Sequence, residues 1–439
     1  MEAAQLVSLI CCDLGSITRG RSLLAAELEQ RMGEGVGWVP ANQALTPLGP
    51  LAEPNPFGST GDLRLLPDSD SRVRVAGDSD AGALELLLCD IVELDGAPWA
   101  ACPRRFLRDA VEQLEGGLGV ALSVSFEHEF QLLSRPNCDP SPPLPFSLEA
   151  QRRAEPFATR VMGALLEAGV QPERFFPEYA AHQFEIPTRP AGGLAGADRS
   201  VVFKEVVREI ARRGGMRASF TPLLDPAQAG NGVHIHLDLL DGAGASLLQD
   251  ASRPAGLSEL GERFAAGILC HARALSALCA PSPISQARLQ PHRWSAGAVC
   301  LGERNREALL RITPRVSIAD PAAAMHLEYR GADASANPYL ALGAIVLAGL
   351  EGVRERLPAP PILQVDPAEL DGAEAERYGV GALPGSLAEA LQALAEDGAV
   401  RAWMGPLLYD AYASVKRAEI AAAADLDLGE LCERYAAIY

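Results

Sequence analysis

The stretch Val120–Phe130 constrains the fold most strongly, because its apolar and polar residues alternate from end to end. As a strand, it places one set of mostly apolar side chains on one face: Val120, Leu122, Val124, Phe126 and His128. The opposite face carries small residues and ends in the carboxylates of Glu127 and Glu129. Two ionised carboxylates on one face repel each other, so a site that holds them together needs cations.

Four further segments divide their polar and apolar residues between two faces in the same way. They are residues 177–186, 230–238, 307–312 and 325–330, whose polar residues include Glu185, His234, His236, Arg311, Glu328 and Arg330. Any one of these strands could instead have a solvated polar edge, since a lone His or Glu on a strand is commonly structural or exposed. Five such strands in one chain are explained more simply by a curved sheet that lines a water-filled cavity.

The polar residues of these strands are carboxylates, histidines and arginines, without a cysteine. Mostly oxygen ligands with a single His suit Mg²⁺ or Mn²⁺ better than zinc. Arginines beside such an ion suit phosphates and a substrate carboxylate. Because the chain has no Gly-rich Walker-type loop, a nucleotide would be held by metal ions and arginines. The residues alone therefore predict a metal-dependent enzyme that uses a phosphorylated cofactor.

Composition and charge exclude several other classes of protein. The formal net charge of −19 argues against a nucleic-acid partner, which normally requires a basic face. The best apolar run, Pro338–Leu350, is too short to cross a bilayer, and Leu6–Cys12 lacks the preceding basic region of a signal peptide. The nine Cys are an odd number without paired metal spacing, which favours reduced thiols and a cytoplasmic location.

The pattern of turns and periodic segments predicts two parts, residues 1–103 and 104–439. The first is predicted to be strand-rich, with strands at 6–12, 63–66, 73–75 and 84–92, a helix at 23–32 and a long Gly/Pro-rich loop at 33–61. The loop is long enough to predict a functional role or an arm between subunits. The second part is predicted to mix strands with helices at 104–114, 155–168, 201–213 and 259–279, and with another that opens at Ser386.

The order of motifs resembles the glutamine synthetase family over nearly the whole chain. The motifs are Phe126-Glu-x-Glu-Phe130, Glu178 followed by Gln183-Phe-Glu185, Gly232-Val-His-Ile-His236, Arg288-Leu-Gln-Pro291, Asn305-Arg306 with Arg311, Glu328-x-Arg330 and Ala336-Asn-Pro-Tyr339. The resemblance implies an α+β fold: an N-terminal β-grasp domain (1–103), then a catalytic domain (104–439) with a curved antiparallel sheet flanked by helices. It also implies a homo-oligomeric ring, most simply a dodecamer of two hexamers, in which a neighbour's N-terminal domain completes each site.

By motif match, the resemblance assigns roles to individual residues. Two or more Mg²⁺ or Mn²⁺ ions would be held by Glu129, Glu178 and Glu185 at one site and by Glu127, His234 and Glu328 at another. Arg288, Arg330 and Gly230 would bind glutamate, and ATP would contact His236, Arg306 and Arg311. The implied reaction is attack of the γ-carboxylate of L-glutamate on ATP, with Arg306 and the metal held by Glu129 stabilising charge. A nitrogen nucleophile then attacks γ-glutamyl phosphate.

The chain departs from the family pattern where ammonia-using members bind ammonium. Their flap carries a Glu where this chain has Trp294, and their acidic N-terminal loop corresponds here to Gly37–Leu45, which contains no acid. Binding ammonium without these anions would be costly, whereas a Trp offers an apolar or aromatic surface. We therefore expect an organic primary amine as nucleophile and a γ-glutamylamide as product. A long polyamine would favour further acids along the entrance, so a monoamine with an apolar or aromatic body is expected.

Three alternatives stay open at this stage. Trp294 could merely pack the flap while another acid binds ammonium, which would make the protein an ammonia-using glutamine synthetase. The chain could be a catalytically inactive oligomeric homologue, although all six predicted metal ligands are present. A phosphotransferase related to guanidino kinases is a more remote option.

Overall fold

A computed structural model of the chain describes residues 5–78, 81–133, 144–293, 295–314, 318 and 325–439. The first part of the chain forms a six-stranded sheet and one helix. Its elements are β1 (Leu6–Cys12), β2 (Thr18–Leu24), α1 (Leu28–Glu34), β3 (Val36–Trp38), β4 (Leu63–Pro67), β5 (Val73–Val75) and β6 (Leu84–Val92). The strand order is β2-β1-β6-β4-β3, with β5 also paired to β6. The pair β1–β6 is parallel, and the other pairs are antiparallel.

The prediction of a helix over residues 23–32 is wrong at its start. Leu23 and Leu24 belong to β2, which pairs with β1 along its whole length, and the α-helix begins only at Leu28. The hairpin turn is fixed by Asp13, whose Oδ1 accepts hydrogen bonds from the backbone N–H groups of Gly15 and Ile17, both at 2.9 Å. Tertiary pairing thus overrides the local helical spacing of the leucines.

The larger part of the chain combines ten strands with twelve helices in the described ranges. The strands are β7 (Ala121–Leu133), β8 (Phe176–Pro177), β9 (Gln183–Pro187), β10 (Ala191–Gly192), β11 (Arg217–Ser219), β12 (Val233–Leu240), β13 (Ala298–Glu303), β14 (Ala308–Ile312), β15 (Leu327–Tyr329) and β16 (Ile362–Leu363). They form one sheet in the order β16-β13-β14-β15-β12-β7-β9-β8, with β10 and β11 also paired to β7. The predicted antiparallel pairing holds around β7, but β13 pairs in parallel with β14 and β16.

The helices surround this sheet and supply most of the core. They are α2 (Pro103–Leu118), α3 (Leu148–Arg153), α4 (Phe157–Glu167), α5 (Gly193–Arg213), α6 (Glu259–Cys270), α7 (Ala272–Cys279), α8 (Ser285–Arg288), α9 (Pro338–Arg354), α10 (Gly372–Arg377), α11 (Leu387–Glu396), α12 (Gly398–Ala423) and α13 (Leu428–Ala436). The single helix predicted at 259–279 is in fact two, α6 and α7, which join at His271. The apolar α9 is buried and packs against α2 and α6.

The alternation of β7 separates the core of the protein from its polar face. His128 is 1% exposed, and its ring stacks on Phe203 at a centroid distance of 4.5 Å. Phe126 and Phe130 are buried on the same side. The neighbouring Glu127 and Glu129 therefore project from the opposite face, as the sequence predicts.

Arg104, at the start of α2, joins the two parts of the chain. Its guanidinium is 3% exposed and binds Asp68 and Asp90 of the first part, at 2.7 and 3.0 Å, and Asp198 of α5 at 2.8 Å. Removal of this cation would leave Asp198 without its arginine partner, whereas Asp68 and Asp90 would keep their contacts with Arg108, at 3.5 and 3.1 Å.

The remaining predictions about exposure concern cysteines and membranes. The cysteines that the structure describes are free thiols, and of these only Cys270 is exposed. None of the helices in the described ranges has the length and apolar character of a bilayer-spanning segment.

Candidate active site

The register of the large sheet brings the polar residues of five strands to one face. Glu127 of β7 lies opposite His234 of β12, and Glu129 lies opposite Glu185 of β9. Glu328 of β15 lies between His236 on one side and Arg311 on the other. Residues directly opposite each other in antiparallel strands share a face, so strands distant in sequence deliver their side chains to one place.

Glu127, His234 and Glu328 form a compact cluster at the centre of this face. One ligand atom from each lies within 4.8 Å of the others. Nδ1 of His234 is 3.3 Å from Oε2 of Glu127 and 3.7 Å from Oε1 of Glu328. Two carboxylates and one imidazole are a donor set that fits a divalent ion.

The charges around this first cluster keep its carboxylates ionised. Burial alone would raise the pKa of Glu328, but the charges of Arg330 and then His236 lower it to about 2. Arg311 donates to Oε2 of Glu328 at 2.7 Å, and Arg330 donates to its other oxygen. Burial of Glu127 is likewise outweighed by His236 and His234, which hold its pKa well below the usual range.

A second cluster consists of Glu129, Glu178 and Glu185. Burial, reinforced by the charge of Glu129, raises the pKa of Glu178 to about 8. Burial and the charges of the surrounding carboxylates, Glu127 first, hold the pKa of Glu185 well above its usual value. These carboxylates destabilise one another in the absence of a cation, which is the electrostatic condition that a divalent ion would relieve. The two clusters adjoin, since Nε2 of His234 lies 4.0 Å from Oε1 of Glu129.

Backbone and amide groups fix the position of Glu129. Its Oε2 accepts hydrogen bonds from Gln183 Nε2 and from the backbone N–H of Gly232, both at 3.0 Å. A Cβ atom at Gly232 would lie 2.9 Å from Nη1 of Arg288, and one at Gly230 would lie 2.2 Å from the carbonyl oxygen of Pro222. Glycine is thus required at position 230 by the close approach of the backbone, and a side chain at position 232 would displace the guanidinium of Arg288.

A cavity of about 300 Å³ opens beside the two clusters. Its wall contains most of the residues that the sequence predicts for the site: Glu127, Glu129, Glu178, Glu185, Gly230, His234, Arg288, Arg306, Arg311 and Arg330. Arg288 is 2% exposed and donates to the carbonyl oxygen of Ala332 at 2.8 Å. Nε of Arg330 donates to the carbonyl oxygen of Arg306 at 2.9 Å. A charged, largely preformed cavity of this kind suits anionic ligands.

Two of the predicted residues that the structure describes, Glu328 and His236, are not on this wall. Glu328 is bound by the arginines as described above. His236 lines a smaller recess of about 80 Å³ with His326, and its Nδ1 is 2.7 Å from Nε2 of that residue. Its Nε2 is 3.1 Å from Oε1 of Glu127. Trp294 lies outside the described residues.

The cavity wall also contains residues that the sequence did not identify: Phe146, Arg174, Phe176, Tyr179 and Arg293. Arg293 immediately precedes Trp294 and donates to the carbonyl oxygens of Gln228 and Pro226, at 2.7 and 3.1 Å. These bonds connect Arg293 to the loop that contains Gly230. The position of Arg293 beside Trp294 was its only sequence signal, and Phe146 lies in a segment without a motif. Tyr179 follows Glu178 directly within a quoted motif, but the motif assigns no role to it.

The chain is similar to known proteins in both sequence and fold. The family described as "Glutamine synthetase, catalytic domain" matches residues 100–427, and "Glutamine synthetase N-terminal domain" matches residues 1–99. The chain is 34% identical to the gamma-glutamylpolyamine synthetase GlnA3 of Streptomyces coelicolor, over 96% of this chain and 91% of that protein. It is also 34% identical to a glutamine synthetase of Thermococcus kodakarensis, over 70% of this chain and 68% of that protein. A crystal structure described as a novel glutamine synthase homolog matches with a TM-score of 0.92 and 46% identity, over 100% of this chain and 99% of that one.

Proposed function

The chain belongs to the glutamine synthetase family of ATP-dependent ligases, and from this premise we propose that it joins the γ-carboxylate of L-glutamate to an organic primary amine. The observation that carries this proposal is the allocation of carboxylates in the cavity. Among the described residues of the wall, each carboxylate belongs to one of the two clusters. None is left over to bind a bare ammonium cation, which supports an amine that is held through its organic body by other contacts.

The family uses divalent metal ions, and the two clusters offer ligands for them. We propose that Glu129, Glu178 and Glu185 hold one Mg²⁺ or Mn²⁺ ion, and that Glu127, His234 and Glu328 hold another. When bound, these ions would neutralise charge on the triphosphate. Arg311 and Arg330 position Glu328 through their ion pairs with it.

The arginines of the cavity are proposed to bind the two anionic substrates. Arg288 and Arg330 are both nearly inaccessible to solvent and would bind the α-carboxylate of glutamate beside the backbone of Gly230. Arg306 and Arg311 would face the phosphates of ATP, and His236 would lie near the nucleotide. Buried guanidinium groups bind carboxylates and phosphates strongly, because their planar donors match these acceptors and water is excluded.

The proposed reaction proceeds in two steps. An oxygen of the glutamate γ-carboxylate attacks the γ-phosphorus of ATP, and the bond to the β-phosphate oxygen breaks to release ADP. The nitrogen lone pair of the neutral amine then attacks the acyl carbon of γ-glutamyl phosphate, the bond from this carbon to the phosphate oxygen breaks, and the leaving phosphate takes up the proton that the nitrogen loses, which gives the γ-glutamylamide. Arg306 would stabilise the negative charge that develops on the transferred phosphoryl group. Activation is necessary because a free carboxylate is a poor electrophile.

We also propose the finer features of domain structure and assembly. Residues 1–103 would form a β-grasp domain and residues 104–439 the catalytic domain, in a cytoplasmic ring of two hexamers. The mixed sheet with β1 parallel to β6 supports the first assignment. The exposed apolar side chains of Leu6, Leu24 and Leu51 support a subunit interface on the first part of the chain.

The test is phosphate release with ATP and glutamate, with ammonium compared against a panel of primary amines and the products identified by mass. We expect γ-glutamylamides and faster turnover with at least one amine than with ammonium. The similarity to a glutamine synthetase favours a second candidate function, that of an ammonia-using glutamine synthetase. Equal or better turnover with ammonium would establish this second function. Glu129→Ala should abolish turnover. Wild-type protein that turns over neither ammonium nor any amine would instead be the inactive homologue.

A further inference from the structure

Two aromatic side chains, Phe146 and Tyr179, lie on the wall of an otherwise highly charged cavity. They are 49% and 46% exposed. Their rings meet edge to face, with centroids 4.9 Å apart and planes at 89°. Edge-to-face contact stabilises such a pair. The pair therefore forms an apolar surface that is open to a ligand of this cavity.

The backbone holds both aromatic residues in place. Phe146 has a φ of 55°, in the left-handed region that a bulky residue rarely adopts. The next residue, Ser147, fixes this conformation: its hydroxyl donates to the carbonyl oxygen of Leu144 at 2.7 Å and caps α3. Beside Tyr179, the backbone N–H groups of Ala180 and Ala181 donate to the side chains of Gln183 and Gln228, both at 2.8 Å. The aromatic surface is thus preorganised, which lowers the entropic cost of binding.

The charges of the same cavity disfavour a ligand with a second cation. Six arginines line the wall: Arg174, Arg288, Arg293, Arg306, Arg311 and Arg330. The wall carboxylates in the described ranges all belong to the two clusters proposed to bind metal. A distal ammonium group would therefore lose its hydration without gaining an anionic partner.

We propose that Phe146 and Tyr179 bind the organic body of the amine, and that the enzyme selects monoamines with an aliphatic or aromatic body over polyamines. This inference rests on the proposed amine-ligase function and narrows it to one chemical class. It distinguishes this chain from the relative whose name specifies polyamines. The two aromatic residues determine specificity and take no part in the chemical step.

The test compares hexylamine with 1,6-diaminohexane, which has the same carbon chain and a second ammonium group, and with methylamine, which has almost no apolar body. Phosphate release and product mass give kcat/KM for each amine. We expect the kcat/KM for hexylamine to exceed the kcat/KM for the diamine at least tenfold. Phe146→Ala and Tyr179→Leu should each raise the KM for hexylamine about tenfold, with the KM values for methylamine, glutamate and ATP unchanged.

Tyr378→Ala is the matched control, because Tyr378 packs elsewhere, against Arg377 and a separate small apolar cluster. It should leave every KM unchanged. Equal use of the diamine and hexylamine would overturn the proposed selectivity. A rise in KM that is equal for methylamine and hexylamine would overturn the subsite, since it would indicate a general structural effect. Both failures would still yield γ-glutamylamides, whereas glutamine formed in preference to every γ-glutamylamide would show that the proposed function itself is wrong.

Discussion

Binding of a divalent ion to the second cluster should release protons at neutral pH. Because the pKa of Glu178 is raised to about 8, about nine-tenths of its carboxyl groups carry a proton at pH 7 in the absence of an ion. The pKa of Glu185 is also well above its usual value. An ion favours the ionised form of both groups. We therefore expect between about one and two protons to be released for each ion bound at pH 7.

Titration calorimetry with Mg²⁺, in two buffers of different ionisation enthalpy, measures this number. Glu178→Gln should reduce the release by about nine-tenths of a proton at pH 7. Glu173→Gln is a matched control, because Glu173 lies on the same segment but outside the cavity wall, and it should release as many protons as the wild type. If the binding heat of the wild-type protein is the same in both buffers, the carboxylates are already ionised and the argument from mutual repulsion is refuted.

The same carboxyl group makes the ion-free protein less stable as the pH rises. The pKa of Glu178 is higher in the folded chain than its ordinary value of 4.5, so its contribution to stability is fully present below about pH 4.5 and is lost as the pH rises through about 8. The free energy of unfolding, measured with urea, should therefore fall by a few kcal/mol between about pH 5 and pH 8. Addition of Mg²⁺ or the substitution Glu178→Gln should reduce this pH dependence of the free energy of unfolding. A pH dependence that neither of them changes would contradict the role of Glu178.

Three substitutions test other parts of the site and fold. Glu328→Ala leaves the guanidinium groups of Arg311 and Arg330 without their buried partner, and should lower the free energy of unfolding by about 3–5 kcal/mol in chemical denaturation. Arg104→Ala leaves Asp198 without an arginine partner and leaves Asp68 and Asp90 with Arg108 alone, and it should lower the free energy of unfolding by about 3 kcal/mol in the same assay. A loss below about 1 kcal/mol would show that the junction depends on other contacts. Arg293→Ala removes the two hydrogen bonds that this side chain donates to the carbonyl oxygens of Gln228 and Pro226, in the loop at Gly230. It should raise the KM for glutamate about tenfold, and an equal rise in the KM for ATP would argue against this local role.

The central strands of the large sheet could be predicted from the sequence because one rule governs them. A period of two forces successive side chains to opposite faces, so the pattern around Glu127 and Glu129 fixed both the strand and the face that they share. The same rule placed His234 and Glu328 on polar faces. The convergence of these faces was inferred from their number, and the register of the sheet brings Glu127, His234 and Glu328 to one face.

Other features depend on contacts that no local pattern records. The strand β2 is largely exposed, and its pairing with β1 decides its conformation. The break between α6 and α7 occurs at His271, whose ring nitrogens contact Asp397 and Glu351, two residues far along the chain.

 Nδ1 of His271 lies 2.7 Å from Oδ2 of Asp397, 126 positions along the chain, and Nε2 lies 3.2 Å from Oε1 of Glu351, 80 positions along. A periodicity read over a single helix cannot detect such partners.

The aromatic residues of the cavity were missed for the same reason. Phe146 and Tyr179 are in contact but lie far apart in the sequence, so no regular spacing connects them. Phe146 also reaches the wall through a backbone conformation that is rare for its residue type. Sequence patterns describe faces of regular elements, and these two residues lie in loops.

The sheet order described above also decides when in the life of the protein an ion can be acquired. Glu127 and Glu328 meet only after β15, β12 and β7 have paired, so the cluster of Glu127, His234 and Glu328 is incomplete in a growing chain until residue 328 has been synthesised. The cluster of Glu129, Glu178 and Glu185 has all of its residues much earlier in the chain. The two clusters therefore become available to an ion at different stages of synthesis.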